Sequence, residues 1–329
     1  MLLDDGYRFH VQFHITNQCN LRCKHCYEGQ PSKRIEWDYA EFIAAIEKLW
    51  SCFHKWNVLG EISLIGGEPT MHPRFYDMVE YLHSRGDVHD ISILTNGVHI
   101  DQQFVDIAKA NNCYVQVSID GATPDGHDFI RGAGNYQRTL DNAKRLADSG
   151  VSVSAHYVLS KNTTPIQEEL FPTLLEKGIS QIAFSRIVPF GNAGVADMMS
   201  SAETHDTFTL IENMRQKYEP MGLSFGTTRP LWCLVGHEGK CPVAYQTITI
   251  LEDGTILPCR RLPIPLGNIK EDNFFKVWYT NEVLENIRNR EKIDTCGYCT
   301  HLDKCGGARC IAFALTGDYM SKDPQCWIV

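Results

Sequence analysis

Thr16-Asn17-Gln18-Cys19-Asn20-Leu21-Arg22-Cys23-Lys24-His25-Cys26-Tyr27 directly follows the apolar segment Phe9 to Ile15. That segment alternates enough to read as a strand, so the three cysteines lie on the loop leaving it. Three thiolates on one short loop can hold a metal but cannot close a tetrahedral structural site, for which zinc would need a fourth ligand. A cubane 4Fe–4S cluster held by three cysteines keeps one iron open for a substrate or cofactor. An open iron at the mouth of a strand implies chemistry.

The rest of the chain bounds that reading. At 329 residues and 43% hydrophobic, it can bury one large core, or one core plus a small module. A formal net charge of −9 gives no footprint for nucleic acid or an anionic membrane. No apolar run approaches a membrane span, and the acidic start Met1 to Gly6 is not an export signal. Thirteen cysteines would suit a secreted disulfide protein, but the count is odd and the spacings are those of metal ligands. The expected location is the cytoplasm, with the thiols kept reduced.

Strand and helix patterns alternate from residue 9 to about 220. Phe42, Ile43, Ile46, Leu49, Trp50 and Phe53 recur at helical spacing, as do Phe75, Met78, Val79 and Leu82. Ile62–Ile65, Ile91–Leu94, Tyr114–Ile119, Val151–Leu159 and Gln181–Ile187 read as strands, with helices around 101–111, 137–149 and 166–177 between them. Six βα units make a parallel sheet curved into a partial (β/α)6 TIM-like barrel the expected α/β architecture. Functional residues should gather at the carboxyl ends of its strands.

Motifs fall at those ends. Gly66-Gly67-Glu68-Pro69 follows the second strand; its glycines let backbone approach a ligand, and Glu68 suits an ammonium group. Thr95-Asn96-Gly97 and Ser118-Ile119-Asp120-Gly121 follow the third and fourth strands, each by itself an ordinary turn signal. Asp128-Phe129-Ile130-Arg131-Gly132 adds an arginine whose fork suits a carboxylate. Ser185-Arg186-Ile187-Val188-Pro189-Phe190-Gly191 follows the sixth strand.

From Cys233 onward the composition changes. Cys241, Gly254 and Cys259 form C-x12-G-x4-C around a hairpin at Leu251–Ile256. Cys296, Cys299, Cys305 and Cys310 form C-x2-C-x5-C-x4-C, and Cys326 stands alone beyond them. Structural zinc sites are one reading of such fragments. Cys52, on an apolar helix face, and Cys113, at a strand start, read as buried inert thiols.

The C-x3-C-x2-C loop, with the motifs at the later strand ends, resembles the signature of the radical S-adenosylmethionine (radical SAM) enzymes. The resemblance implies that Cys19, Cys23 and Cys26 hold a catalytic 4Fe–4S cluster. It further implies that Gly66, Gly67, Glu68 and Pro69 receive the methionine amino group of S-adenosylmethionine, and that Thr95, Asn96, Ser118 and Asp120 line the cofactor pocket. Arg131 becomes a partner for the methionine carboxylate, and His25 takes the place of an aromatic residue near the adenine. The segment containing Val188 would hold the adenosine. His25 as a fourth cluster ligand is the rival reading, disfavoured because it would block the open iron.

The carboxyl-terminal run resembles the SPASM extension, a small cysteine-rich α+β iron–sulfur domain. This implies a barrel over residues 1–225 and an extension over 226–329, with two auxiliary 4Fe–4S clusters. Carried over by position, Cys233, Cys241, Cys259 and Cys310 hold the first and Cys296, Cys299, Cys305 and Cys326 the second. The family's third gap in the cysteine run is three residues, whereas Gly306-Gly307-Ala308-Arg309 makes four here.

Such enzymes cleave S-adenosylmethionine reductively to a 5′-deoxyadenosyl radical, which abstracts a substrate hydrogen in a dry barrel. The leading expectation is modification of a ribosomally made peptide by thioether or carbon–carbon cross-linking or side-chain oxidation. Only eight residues precede the first strand, so leader recognition is expected from a separate protein or at the barrel mouth. A flavodoxin- or ferredoxin-type protein is the expected electron donor, and neither nucleic acid nor membrane is expected as a partner. A small molecule, such as a tetrapyrrole side chain or an antibiotic precursor, is the alternative substrate. Sulfatase maturation ranks lower, because those relatives carry an aspartate where Arg260 and Arg261 follow Cys259. That pair of cations suits an acidic substrate group or a solvated turn. A non-enzymatic zinc or redox module ranks last.

Overall fold

In the first strand, β1 (Arg8–Thr16), Phe9, Val11, Phe13 and Ile15 are fully buried on one face, and His10, Gln12 and His14 alternate with them on the other. The apolar face is roofed by aromatic rings. Phe13 meets Trp37 and Phe42 with centroids 5.0 and 5.1 Å away, and Phe9 meets Phe53 and Trp278 at 4.9 and 4.8 Å. Phe42 and Phe53 belong to α1 (Tyr39–Trp56), whose start is fixed by Asp38 accepting from the Ala40 and Glu41 amides. The opposite face lines the inside of the sheet, and it is polar.

The computed structural model describes residues 7–29, 31, 33–227, 229–237 and 239–328; the start Met1–Gly6 lies outside them. After β1 and α1 come β2 (Leu59–Gly66), α2 (Phe75–Ser84), β3 (Val88–Thr95), α3 (Gln102–Ala110), β4 (Tyr114–Ser118), α4 (Pro124–Arg131) and α5 (Asn135–Asp148). They are followed by β5 (Ser152–Leu159), α6 (Leu170–Glu176), β6 (Gln181–Arg186), α7 (Ser201–Tyr218) and β7 (Ser224–Gly226). These seven strands pair in parallel in chain order, as short βα crossovers require. The fold is mixed α/β, built on a parallel sheet curved into a partial barrel.

The sheet does not stop at β7. β8 (Thr247–Ile250) pairs in parallel with β1, at His10↔Thr247 through Phe13↔Ile250. β9 (Thr255–Leu257) and β10 (Gly267–Asn268) extend it antiparallel, giving the order β10-β9-β8-β1-β2-β3-β4-β5-β6-β7. The expected hairpin is therefore a continuation of the barrel sheet. Its turn needs glycine: Gly254 has φ +92°, and a Cβ there would come within 2.5 Å of Asn268 Oδ1. Helices α8 (Phe274–Thr280), α9 (Glu282–Arg288) and α10 (Arg309–Thr316) complete the carboxyl-terminal part. Among the described residues, no helix is long and apolar enough to cross a membrane.

Candidate active site and cysteine clusters

The carboxyl end of β1 is tied to that of β2 by backbone. Gly67 N donates to Thr16 O at 2.8 Å and Glu68 N to Gln18 O at 2.7 Å. The approach is so close that a Cβ on Gly67 would stand 2.4 Å from Gln18 O, which is why glycine is needed there. The cysteine loop thus lies directly on the glycine loop. Its far side is held by Asn192, whose amide N donates to Cys26 O at 2.8 Å and whose Nδ2 donates to Cys23 O at 2.9 Å. A Cβ on the preceding Gly191 would stand 2.4 Å from Cys26 O.

Cys19, Cys23 and Cys26 line one cavity together with His25, Gly66, Gly67, Thr95, Asn96, Ser118, Arg131 and Val188. Residues expected from four strand ends and two loops thus meet in one place. Three do not reach the cavity wall. Glu68 is buried behind it, accepting from Thr95 Oγ1 at 2.7 Å, Asn96 N at 2.8 Å and Thr70 Oγ1 at 3.0 Å. Burial pushes its carboxyl up, while those donors pull it back. These bonds lock the β2 loop to the β3 loop. Pro69, buried next to it, opens a short helical turn.

Asp120 is the third. It is buried under His25 and Arg131, with Oδ2 2.8 Å from His25 Nε2 and 2.6 Å from Arg131 Nε, and Oδ1 accepting from Val158 N at 2.8 Å. Burial alone would raise this carboxyl, but Arg131 and His25 hold it well below the usual range. Arg131 is therefore not the free fork that its sequence context suggests. Its guanidinium spans Asp120 and the Cys23 sulfur, 3.9 Å from Nη1. The His25 imidazole is likewise turned to Asp120, which leaves the three cysteines without a competing nitrogen from Nε2.

The cysteines suit a cluster better than a single ion. No three of the described cysteines bring their sulfurs within 4.8 Å of one another, as one tetrahedral zinc with bonds of about 2.3 Å would require. Burial pushes the Cys19 thiol up to about 12 and raises Cys23 and Cys26 too, so a positively charged metal core is what would hold all three deprotonated.

In the carboxyl-terminal part, Cys241, Cys259 and Cys310 line a second cavity with Arg229 and Arg261. Cys296, Cys299, Cys305 and Cys326 line a third. Cys233, grouped by position with Cys241, Cys259 and Cys310, has its thiol hydrogen-bonded to Cys305 and near Cys299. Packing explains this. The turn Trp232–Val235 is pinned by Trp232 stacking on Phe208 (4.5 Å, 21°), and Leu231 N donates to Cys305 Sγ at 3.3 Å. Spacing along the chain cannot reveal which of two adjoining sets a cysteine joins. No disulfide joins any of the thirteen cysteines, and burial pushes the unused Cys113 up to about 12.

Several participants were not evident from sequence. Asn192 is one; its Gly-Asn context reads only as a turn. The polar inner wall is another, with His10 Nε2 2.7 Å from Ser63 Oγ and His156 Nε2 2.5 Å from Ser185 Oγ. A third is the bidentate pair of Arg186 and Asp323, with 2.8 and 3.1 Å contacts, which fixes the end of β6 to the segment carrying Cys326.

A three-cysteine loop at a strand end, facing glycine and asparagine loops in one cavity, defines an enzyme built to place S-adenosylmethionine against an iron–sulfur cluster. Residues 13–171 match the radical SAM superfamily, and residues 241–300 match the SPASM iron–sulfur cluster-binding domain. The chain belongs to the radical SAM superfamily and carries a SPASM extension. Over 350 residues it is 26% identical to an AdoMet-dependent heme synthase of Methanosarcina barkeri, covering 96% of this chain and 95% of that protein. It is 25% identical to the mycofactocin maturase MftC of Mycobacterium tuberculosis, covering 96% and 82%. The crystal structure of Streptococcus suis SuiB bound to S-adenosylmethionine superposes with a TM-score of 0.79 at 18% identity, covering 98% of this chain and 78% of SuiB. SuiB bound to its precursor peptide SuiA gives 0.78 at 17% identity, covering 98% and 76%.

Proposed function

We propose that this enzyme modifies a ribosomally made peptide, forming a thioether or carbon–carbon cross-link or oxidising a side chain. The observation that carries the chemistry is the single cavity shared by Cys19, Cys23, Cys26 and the loops at Gly66-Gly67, Thr95-Asn96 and Ser118. The substrate class is supported by similarity along almost the whole chain to a peptide maturase, MftC, and to the fold of SuiB, which binds a precursor peptide. Peptide arrival with a separate leader-recognition protein, and reduction by a flavodoxin- or ferredoxin-type donor, belong to this proposal.

Cys19, Cys23 and Cys26 would hold the cluster, which when bound would supply the electron for reductive cleavage of S-adenosylmethionine and so the means of abstracting a substrate hydrogen. The protein residues set the conditions. Gly66 and Gly67 bring backbone to the methionine end, Thr95, Asn96 and Ser118 line the wall beside it, and Val188 offers an apolar surface on the β6 side. Asp120 fixes His25 and Arg131 so that the wall under Cys23 keeps one shape. The roof of Trp and Phe rings outside β1 excludes water from the back of the sheet.

Cys241, Cys259 and Cys310, and the four cysteines around Cys305, are the proposed ligands of two auxiliary clusters, with Cys233 beside the latter set. This makes three clusters in all, in a barrel over 1–225 and an extension over 226–329. Cysteines in such number with no disulfide suit a cytoplasmic location.

A small-molecule substrate is the second reading, favoured by end-to-end similarity to the heme synthase. Anaerobic reaction with the products of short open reading frames adjoining the gene tests the first. A mass change in one such peptide, accompanied by 5′-deoxyadenosine, is the expected result. Deoxyadenosine formed only with a tetrapyrrole would select the second.

A further inference from the structure

Three arginines, Arg229, Arg260 and Arg261, end in the space between the first two cysteine sets. Ser185, Arg186 and Arg261 line both the cavity of Cys19, Cys23 and Cys26 and the cavity of Cys241, Cys259 and Cys310, so the two are contiguous. Cations crowded into one enclosed volume need anionic partners. For two of the three, the partners are at hand. Arg261 faces the sulfurs of Cys310, Cys259 and Cys241 and donates to Arg186 O at 3.0 Å, and Arg229 faces Cys241 and Cys259.

Arg260 differs. It lines the Cys19–Cys26 cavity, and its guanidinium makes neither a hydrogen bond nor an ion pair with any described residue. It is nevertheless held in place. Its backbone N donates to Thr249 Oγ1 at 3.0 Å, and its guanidinium lies 5.1 Å from the centre of the Tyr27 ring, a cation–π contact that leaves the N–H donors unused. The neighbouring carboxylate of Glu28 feels the Arg260 charge but makes no hydrogen bond to it, its Oε1 being held by His14 Nδ1 at 3.0 Å and by the Tyr27 hydroxyl at 2.9 Å. The neighbouring imidazole of His156, buried and beside Arg260 and Arg229, stays neutral and offers no negative charge.

Resting on the radical SAM reading above, we infer that Arg260 anchors a carboxylate of the substrate beside the Cys26–Tyr27 turn. A planar fork with free donors on the wall of this cavity is built for two-point recognition of a carboxylate. Tyr27 follows Cys26 directly, so the anchor sets the carboxylate beside the cluster loop. Two sources supply that chemistry: an acidic side chain of a peptide, or a propionate of a tetrapyrrole.

The test uses full-length, anaerobically reconstituted protein as wild type, Arg260→Gln and Arg260→Lys. The probes are a porphyrin with four propionates and its tetramethyl ester, and a pool of nonapeptides with central glutamate and the same pool with glutamine. Binding is read by porphyrin absorbance or peptide fluorescence anisotropy, with S-adenosylmethionine binding by equilibrium dialysis alongside. The expected result is that one carboxylate probe binds wild type, that its ester or amide counterpart binds at least about tenfold more weakly, and that Arg260→Gln erases the difference. Arg260→Lys should restore part of it. The responding arm identifies the source. Equal binding of carboxylate and neutral probes to wild type would overturn the inference, as would a loss in Arg260→Gln confined to S-adenosylmethionine. Absence of reductive S-adenosylmethionine cleavage by wild type would instead strike the radical SAM reading itself.

Discussion

Arg131 Nε stands 2.6 Å from Asp120 Oδ2, with both side chains buried, and the same guanidinium reaches to 3.9 Å from the Cys23 sulfur. A single ion pair thus joins the brace of the cavity wall to a cluster-loop sulfur. A cation beside a cluster sulfur favours the reduced form. Arg131→Gln is therefore expected to lower the midpoint potential of the cluster at Cys19, Cys23 and Cys26, read by EPR-monitored redox titration. An unchanged potential would show that Arg131 serves Asp120 alone.

Removing the other partner tests stability. Asp120→Ala leaves Arg131 buried without its counter-charge, and such losses cost about 3–5 kcal/mol. Denaturant unfolding of the two proteins measures it. The Asp323→Ala exchange, which strips the bidentate partner from buried Arg186, should fall in the same range of about 3–5 kcal/mol.

Stability should also depend on pH through His127. The ring is fully buried; burial, and then Arg131, lower it to about 4, and Asp120 N donates to its Nδ1 at 3.3 Å. A group whose folded value lies below its unfolded value of about 6.5 binds more protons when unfolded, so stability falls as pH drops through that unfolded value. Between pH 7 and 5 the loss from this group is about 2 kcal/mol. His127→Gln should flatten that slope, as followed by denaturant midpoints across the range.

Gly191 faces the cysteine loop, and its added Cβ would meet backbone atoms of Cys26, Gly29 and Tyr27 at 2.4–2.6 Å. Gly191 also has φ +63°, a region in which other residues are strained. Gly191→Ala is expected to displace the Cys26 turn and lower iron retention at the barrel cluster, leaving the carboxyl-terminal cysteines occupied. Iron analysis and EPR of the reconstituted variant distinguish a selective loss from a general one.

Wherever a local pattern governed an element, sequence was enough. The alternation of Phe9, Val11, Phe13 and Ile15 marked β1, and Ile91–Leu94 marked β3, now found to run Val88–Thr95. Loops at the carboxyl ends of β2, β3 and β4 met at one cavity because parallel topology puts them there. Helix α7 escaped notice, since its buried side includes Thr204 and Thr207 beside Phe208 and Ile211, and only its Ser200–Glu203 capping box signals a start. The pairing of β8 with β1 spans more than two hundred residues and has no local signature. The same limit applies to side chains. Glu68, Asp120 and Arg131 carry the right chemistry, but which of them faces the cavity and which stands behind it depends on Thr95, Asn96 and His25 brought from other strands.

The most direct test of the central claim is reductive cleavage of S-adenosylmethionine by anaerobically reconstituted protein, with iron and sulfide counted in the same sample. The wild type should contain about 12 iron per chain, as three cubane clusters require. On reduction it should form 5′-deoxyadenosine. The triple variant Cys19→Ala, Cys23→Ala, Cys26→Ala should retain about 8 iron and form none. Deoxyadenosine from the triple variant at the wild-type rate, or a wild type that holds zinc in place of iron and leaves S-adenosylmethionine intact, would contradict it.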